Sequence, residues 1–334
     1  MKMYSEKTEI DTIPEDWIQG QKNEAAISTT STRLVIGEEK GAVIEIPRMA
    51  KQPNKISHRS DWISDIAQID DLTIMATSMR GSLHYGLETV RQDAYAIGSE
   101  VDLNEDNWLI ASIADGVSSS KRPHAFADYM VRQTILVVAD NLRNNKMSFE
   151  NDFWNNLSKQ LVEISIAYCK NAARSIIQSN IDIEKIDLST FADQWAATLE
   201  YVIVQTKKTP ESKKRKFVHV SVAGDGSAYI LNENRGWKVV KTGKERKGEV
   251  VSNAVSPLPF KPETFSIQSG ELCSGDCLLL VTDGLGDIIR NGNTLIGGFF
   301  QKAFPKCETL VQFLMYSSVA FREANDDRTV VLIK

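Results

Sequence analysis

A chain of 334 residues is long enough for one large domain, or a domain plus an extension, around a sizeable core. Its 39 basic residues are outnumbered by 44 acidic ones, which argues against nucleic acid as a partner, since such binding brings a basic excess. The longest apolar runs stop short of a membrane span and MKMYSEKTEID lacks the apolar core of a signal peptide, so a cytoplasmic protein without membrane contact is expected.

Residues 1–70 are polar, with Pro14, Pro47 and Pro53 scattered among them and a Ser/Thr cluster at 28–32. One strand pair is predicted there, 32–36 with 42–46 across a GEEKG turn, and 51–57 reads as a linker. The stretch is taken as a partly ordered amino-terminal extension whose role is not legible.

From residue 71 to 334 the pattern is that of one folded domain. Strands are predicted at 72–77, 94–97 and 108–114. A helix follows with Pro123 in its first turn, where the missing N–H is harmless, and with Phe126, Met130, Val137, Val138 and Leu142 at helical spacing. A second helix carries Trp154, Leu157, Leu161, Ile164 and Tyr168 on one stripe. Further strands are expected at 196–205, 217–223, 228–231, 237–240 and 277–282. The last helix is marked by Leu310, Phe313, Leu314, Ser317 and Phe321, and the last strand by Thr329–Ile333. The basic run Lys207–Lys216 falls between two strands and reads as a solvated hairpin tip. Four cysteines (Cys169, Cys273, Cys277, Cys307) form no CxxC pair or zinc spacing; Cys273 and Cys277 flank a turn, and thiols in a reducing compartment are expected. Strands in meander-like groups around two consecutive helices, without βαβ alternation, imply an α+β fold of two packed antiparallel sheets flanked by helices.

Three apolar runs end on Asp-Gly: LIASIADG at Leu109–Gly116, VSVAGDG at Val220–Gly226 and LLLVTDG at Leu278–Gly284. A fourth run is preceded by Asp326-Asp327. Any one doublet alone reads as turn punctuation. A carboxylate at the end of a buried strand is nevertheless held at the sheet's edge, and several delivered to one place repel unless cations lie between them. Hard divalent ions prefer such oxygen donors, so the set suits Mg²⁺ or Mn²⁺ better than zinc.

The order of these motifs resembles the metal-dependent type 2C protein Ser/Thr phosphatases, in a bacterial-type branch, over about residues 73 to 334. Gln92-Asp93 in RQDAYAIG, Asp115-Gly116, Gly224-Asp225, Asp283-Gly284 and Asp326-Asp327-Arg328-Thr329 fall in the family's sequence, and SLHYGLETVRQDA is similar to the opening of that branch. The resemblance implies a β-sandwich and two bridged Mn²⁺ or Mg²⁺ ions. Asp115 would bridge them, with the Gly116 carbonyl on one and Asp283 and Asp326 on the other. Asp93 would act through water, and Asp225 would help hold a third, looser ion. Asp93, Asp115 and Asp283 then carry catalysis, the direct attack of a shared water on phosphoserine or phosphothreonine in a partner protein, opposing a Ser/Thr kinase.

Departures from the family concern the substrate. Val117 stands where some relatives carry a proton-donating His after Asp-Gly. Ser118-Ser119-Ser120 follow in place of the usual Gly-Gly, and Glu88 occupies the place of a phosphate-gripping Arg. Arg80, Arg91 and His84 are the remaining candidates for contact with substrate phosphate. The alternative is a non-catalytic module that binds metal or phosphoprotein and signals by docking. A haloacid-dehalogenase-type phosphatase would need DxD after a strand, which DGV, DGS and DGL lack.

Overall fold

The computed structural model describes residues 14–20, 27–30, 33–36, 59–177, 182–208, 213–242, 246–247, 250–251, 257–260, 265–321 and 325–334. In chain order these form β1 (Ile27–Thr30), β2 (Arg33–Ile36), β3 (Trp62–Ile69), β4 (Leu72–Met79), α1 (Ser82–Gly86), β5 (Ala94–Val101), β6 (Asn107–Ala114), α2 (Pro123–Asn144) and α3 (Asn151–Ile177). There follow β7 (Leu199–Gln205), β8 (Arg215–Ala223), β9 (Ser227–Asn232), β10 (Gly236–Lys241), β11 (Arg246–Lys247), β12 (Val250–Val251), β13 (Ser266–Leu272) and β14 (Cys277–Val281). The chain closes with α4 (Asp283–Ile289), α5 (Leu295–Ala303), α6 (Leu310–Ser317), β15 (Ala320–Phe321) and β16 (Arg328–Ile333).

Two antiparallel sheets make the sandwich, as the strand pattern predicts. One has the order β10-β9-β14-β16-β4-β3 and the other β13-β8-β7-β6-β5. The central strands are apolar on both faces because both faces are covered. On β6, Trp108 and Ile110 point to the layer under α2 and α3, whereas Leu109, Ala111 and Ile113 point between the sheets. On β14, Leu279 and Val281 meet α4, α5 and α6, whereas Leu278 and Leu280 meet the facing sheet. The result is four layers, helix–sheet–sheet–helix, with three apolar seams.

Several elements differ from expectation. Trp62–Ile69, expected in the extension, pairs with β4 along its whole length, Trp62 opposite Met79 and Ile69 opposite Leu72. Residues 14–20 also reach the domain: Ile18 exchanges backbone hydrogen bonds with Trp237 on the rim strand β10, and Arg235 stacks on Trp17. Strand β2 matches the predicted 32–36 run, but its partners are β1 and β15; the expected partner at 42–46 lies outside the described residues. The strand expected from Ala196 begins at Leu199, and Phe321 closes β15 instead of a helix. Strand β13 and helices α4 and α5 are additional. The run Lys207–Lys216 does join two antiparallel strands, β7 and β8, although 209–212 lie outside the described residues. All four cysteines are free, with Cys273 half-buried and the others buried. Among the described residues no helix is long and apolar enough to cross a membrane.

Candidate metal centre

The acidic motifs gather at one end of the sandwich. In the six-stranded sheet this is where β4 and β14 end and β16 and β9 begin: Met79 lies opposite Arg328, Val281 opposite Val330, and Ser227 opposite Val281. In the five-stranded sheet it is where β5 and β7 begin and β6 and β8 end: Ala94 lies opposite Ala114, and Leu199 opposite Ala223. Hydroxyls join the two ends. Thr282 Oγ1 donates to Asp93 Oδ2 at 2.7 Å and accepts the Thr329 N–H at 2.8 Å. Thr329 Oγ1 in turn bonds Ser78 Oγ at 2.8 Å, and Ser78 Oγ donates to the Asp93 carbonyl at 3.3 Å.

The carboxyls of Asp93 and Asp115 meet, and each alters the other's hold on a proton. Burial, reinforced by the charge of Asp327, pushes Asp93 up to about 7. Asp115 is partly open at its surface yet has protein packed densely around it; burial and the charges of Asp93 and Asp283 raise it well above the usual carboxylate range. Asp326 is raised by burial and by Asp283. Asp283 opens α4, where Gly284 lets the turn press against the Asp327 carbonyl; a Cβ there would stand 1.9 Å from that oxygen. The Asp115 turn is fixed by Thr198, whose Oγ1 accepts the Asp115 N–H and whose N–H donates to the Asp115 carbonyl, both at 2.8 Å. Gly116 bridges Ala197 directly beside it. Asp225 is buried in the turn between β8 and β9 at the same end of the sandwich.

Asp327 and His84 supply contacts the motifs do not announce. The Asp327 carboxylate accepts the Gly81 N–H at 2.6 Å and the Gln92 N–H at 2.5 Å, fastening the ends of three strands. His84 Nδ1 lies 2.8 Å from Asp327 Oδ1 and 3.9 Å from Asp326 Oδ1, a charge contact short of a well-aligned hydrogen bond. Burial opposes charging of this imidazole, but Asp327, Asp326 and Asp93 outweigh it and raise its proton affinity. Its Nε2 faces Ser118 Oγ at 3.4 Å, too long for a nucleophile–base pair. Among the described residues the group of three acidic or imidazole side chains whose ligand atoms fall within 4.8 Å of one another is His84, Asp326 and Asp327, at the edge of the carboxylate cluster.

The two arginines offered for phosphate contact are placed otherwise. Arg91 is fully buried behind Asp93, donating to Ser78 Oγ at 2.6 Å and to the Asp93 carbonyl at 2.5 Å, and burial with the nearby charge of Arg59 lowers it to about 10. Arg80 is buried as well, paired with Asp61 at 3.1 Å, bonded to the His84 carbonyl at 3.0 Å and stacked on Tyr85. Both guanidiniums brace the site from within, so neither is free to grip a substrate; of the three candidates only His84 borders the carboxylates.

A family model described as Protein phosphatase 2C matches residues 80–315, a span that includes Asp93, Asp115, Asp225 and Asp283 and stops before Asp326. No curated protein matches the sequence. Among solved structures, a bacterial serine phosphatase is similar with a TM-score of 0.50 at 14% identity, over 78% of this chain and 96% of that one. A form of a bacterial serine phosphatase bearing a point mutation gives 0.50 at 13%, over the same shares. The catalytic domain of the serine threonine protein phosphatase PstP, in complex with two manganese ions, gives 0.49 at 16%, over 79% and 97%. At these identities the likeness to solved structures concerns the fold.

Proposed function

We propose, for a chain that belongs to the protein phosphatase 2C family, a Mn²⁺- or Mg²⁺-dependent hydrolysis of phosphoserine and phosphothreonine in a partner protein, opposing a Ser/Thr kinase. The observation that carries this reading is the meeting of buried Asp93 with half-buried Asp115 at the end of the sandwich where Asp283, Asp326 and Asp327 also lie. Carboxylates gathered at one place repel unless protons or cations intervene, and carboxylate oxygens suit hard divalent ions. Asp93, Asp115, the Gly116 carbonyl, Asp283 and Asp326 would hold the two ions, and Asp225 a looser third. When bound, such ions make water more acidic and draw charge from phosphate oxygens.

The chain's own groups orient this set. Thr282 fixes one oxygen of Asp93, and Thr198 locks the Asp115 turn. Asp327 is engaged by two backbone amides and serves as a fastener for its neighbours. His84 borders the cluster between Ser118 and the Asp326-Asp327 pair.

Manganese-dependent hydrolysis of p-nitrophenyl phosphate and of a phosphopeptide, lost in Asp283→Asn, is the expected outcome. One observation favours the docking alternative: Arg80 and Arg91 are both withdrawn into the protein, and exposed Glu88 stands where relatives grip phosphate. Tight manganese binding with no turnover on either substrate would decide for docking.

A further inference from the structure

Beneath the Asp225 turn lies a second buried charge cluster that the phosphatase reading does not use. Glu200 on β7 and His219 on β8 are both almost completely buried between the sheets, and Glu200 Oε2 stands 3.1 Å from His219 Nε2. Ser221 Oγ donates to Glu200 Oε1 at 3.3 Å. Lys241, the last residue of β10, donates its Nζ to the same Oε1 and, at 3.2 Å, to the carbonyl of Gly224. Three polar side chains from the five-stranded sheet are thus tied by one ammonium to the residue immediately before Asp225.

The backbone is shaped for this contact. Paired residues of β10 and β9 share a face, and Trp237 and Val239 lie on the helix side while Lys238 lies opposite the inward-facing Ile230. Simple alternation would send Lys241 to the helix side. A register shift between Val239 and Lys241 places Lys241 opposite Ala228, which faces inward, and so turns its side chain between the sheets. A second shift lies between the Leu199–Ala223 and Glu200–Ser221 pairs, directly before the turn. Bulges of this kind re-aim side chains beside functional sites. The turn itself rests on the cluster. Gly224 has φ +108, and a Cβ on Gly226 would stand 3.0 Å from the Glu200 carboxyl. Glu200 is the second residue of β7, two positions after Thr198, which clamps Asp115, so one strut joins the turns that carry Asp115 and Asp225.

We infer that Lys241 and Glu200 are positioning residues, a strut that holds the Gly224–Gly226 turn in place and thereby sets how firmly Asp225 can hold a cation. The cation part rests on the phosphatase reading; the strut itself does not. The test uses the full chain with Lys241→Met, which keeps the stem and removes the ammonium, with Lys241→Arg, and with the double variant Glu200→Gln/Lys241→Met, which also removes the stranded carboxylate. On metal-free protein, amide hydrogen exchange at 224–227 should quicken about tenfold in Lys241→Met, the loss expected for one charge-assisted hydrogen bond. Lys241→Arg should restore protection. The double variant should recover its thermal midpoint without recovering protection. Calorimetric titration with Mn²⁺ alone should then show the weaker binding event shifted about tenfold and the tighter one unmoved. Unchanged exchange in Lys241→Met, or full recovery of protection in the double variant, overturns the strut and leaves Lys241 as a mere counter-ion of Glu200. If the wild-type chain binds no Mn²⁺, the phosphatase reading fails while the exchange result still decides the strut.

Discussion

Two clusters of buried charge lie at the same end of this sandwich and titrate in opposite senses. Glu200 is buried, which alone would raise its pKa, yet Lys241 and His219 outweigh that and hold it at about 2. Asp93 is equally buried, but acidic Asp327 is its dominant charged neighbour and it rises to about 7. The difference is not depth but company. One carboxylate has an ammonium on its own oxygens; the other meets acidic neighbours at its carboxyl, while Arg59 and Arg91 reach only its backbone carbonyl. On the proposed function, the first is satisfied within the fold and the second is the one a divalent cation would satisfy.

The most severe challenge to that contrast is Asp115→Asn. It should lower manganese-supported turnover of p-nitrophenyl phosphate about 10³-fold or more, and retained activity would move catalysis elsewhere. Glu200→Ala should strand the Lys241 ammonium and remove the partner of His219, lowering stability in urea by about 3–5 kcal/mol; a loss near zero would mean that the compensation is not real. Manganese at about a hundred times its dissociation constant should stabilise the native chain by about 2.7 kcal/mol, and the gain should vanish in Asp115→Asn.

The smallest and most diagnostic effect is in pH. Asp93 binds its proton more tightly folded than unfolded, where an ordinary Asp sits near ~3.9. Its contribution to metal-free stability is therefore greatest below that value and is lost as pH rises towards about 7. Glu200 works the other way: its stabilisation is present above the ordinary Glu range and is lost as pH falls towards about 2. Denaturation profiles of metal-free protein should decline from mildly acid to neutral pH, and Asp93→Asn should flatten that decline.

The carboxylate end of the molecule was legible because each Asp adjoins a strong apolar run, and the end of such a strand is fixed once the strand is. What the residues around the Asp set do was not. Thr282 reaches Asp93 across 189 positions and Thr329 reaches Ser78 across 251, contacts no local pattern encodes. Arg80 and Arg91 look like surface charges in a one-dimensional text, and only the fold reveals that they are interior braces. Helices α4 and α5 were missed because DGLGDII and LIGGFFQKA carry two glycines each, poor helix formers held here by packing. Strand β13 is a rim strand whose SIQSGEL is half polar, and β3 is another, with Trp62 and Ile66 exposed.

The rim position of β3 has a practical consequence. Cutting the chain at residue 70 would peel away one border of the larger sheet and, with residues 14–20, the backbone that Ile18 lends to Trp237 at the other. Strand β4, with Leu72, Ile74 and Met75 lodged in the interior, would become a raw margin offering unpaired amides and carbonyls to any passing strand. A shortened protein that keeps every acidic motif would then self-associate, and its silence in an assay would say nothing about its chemistry.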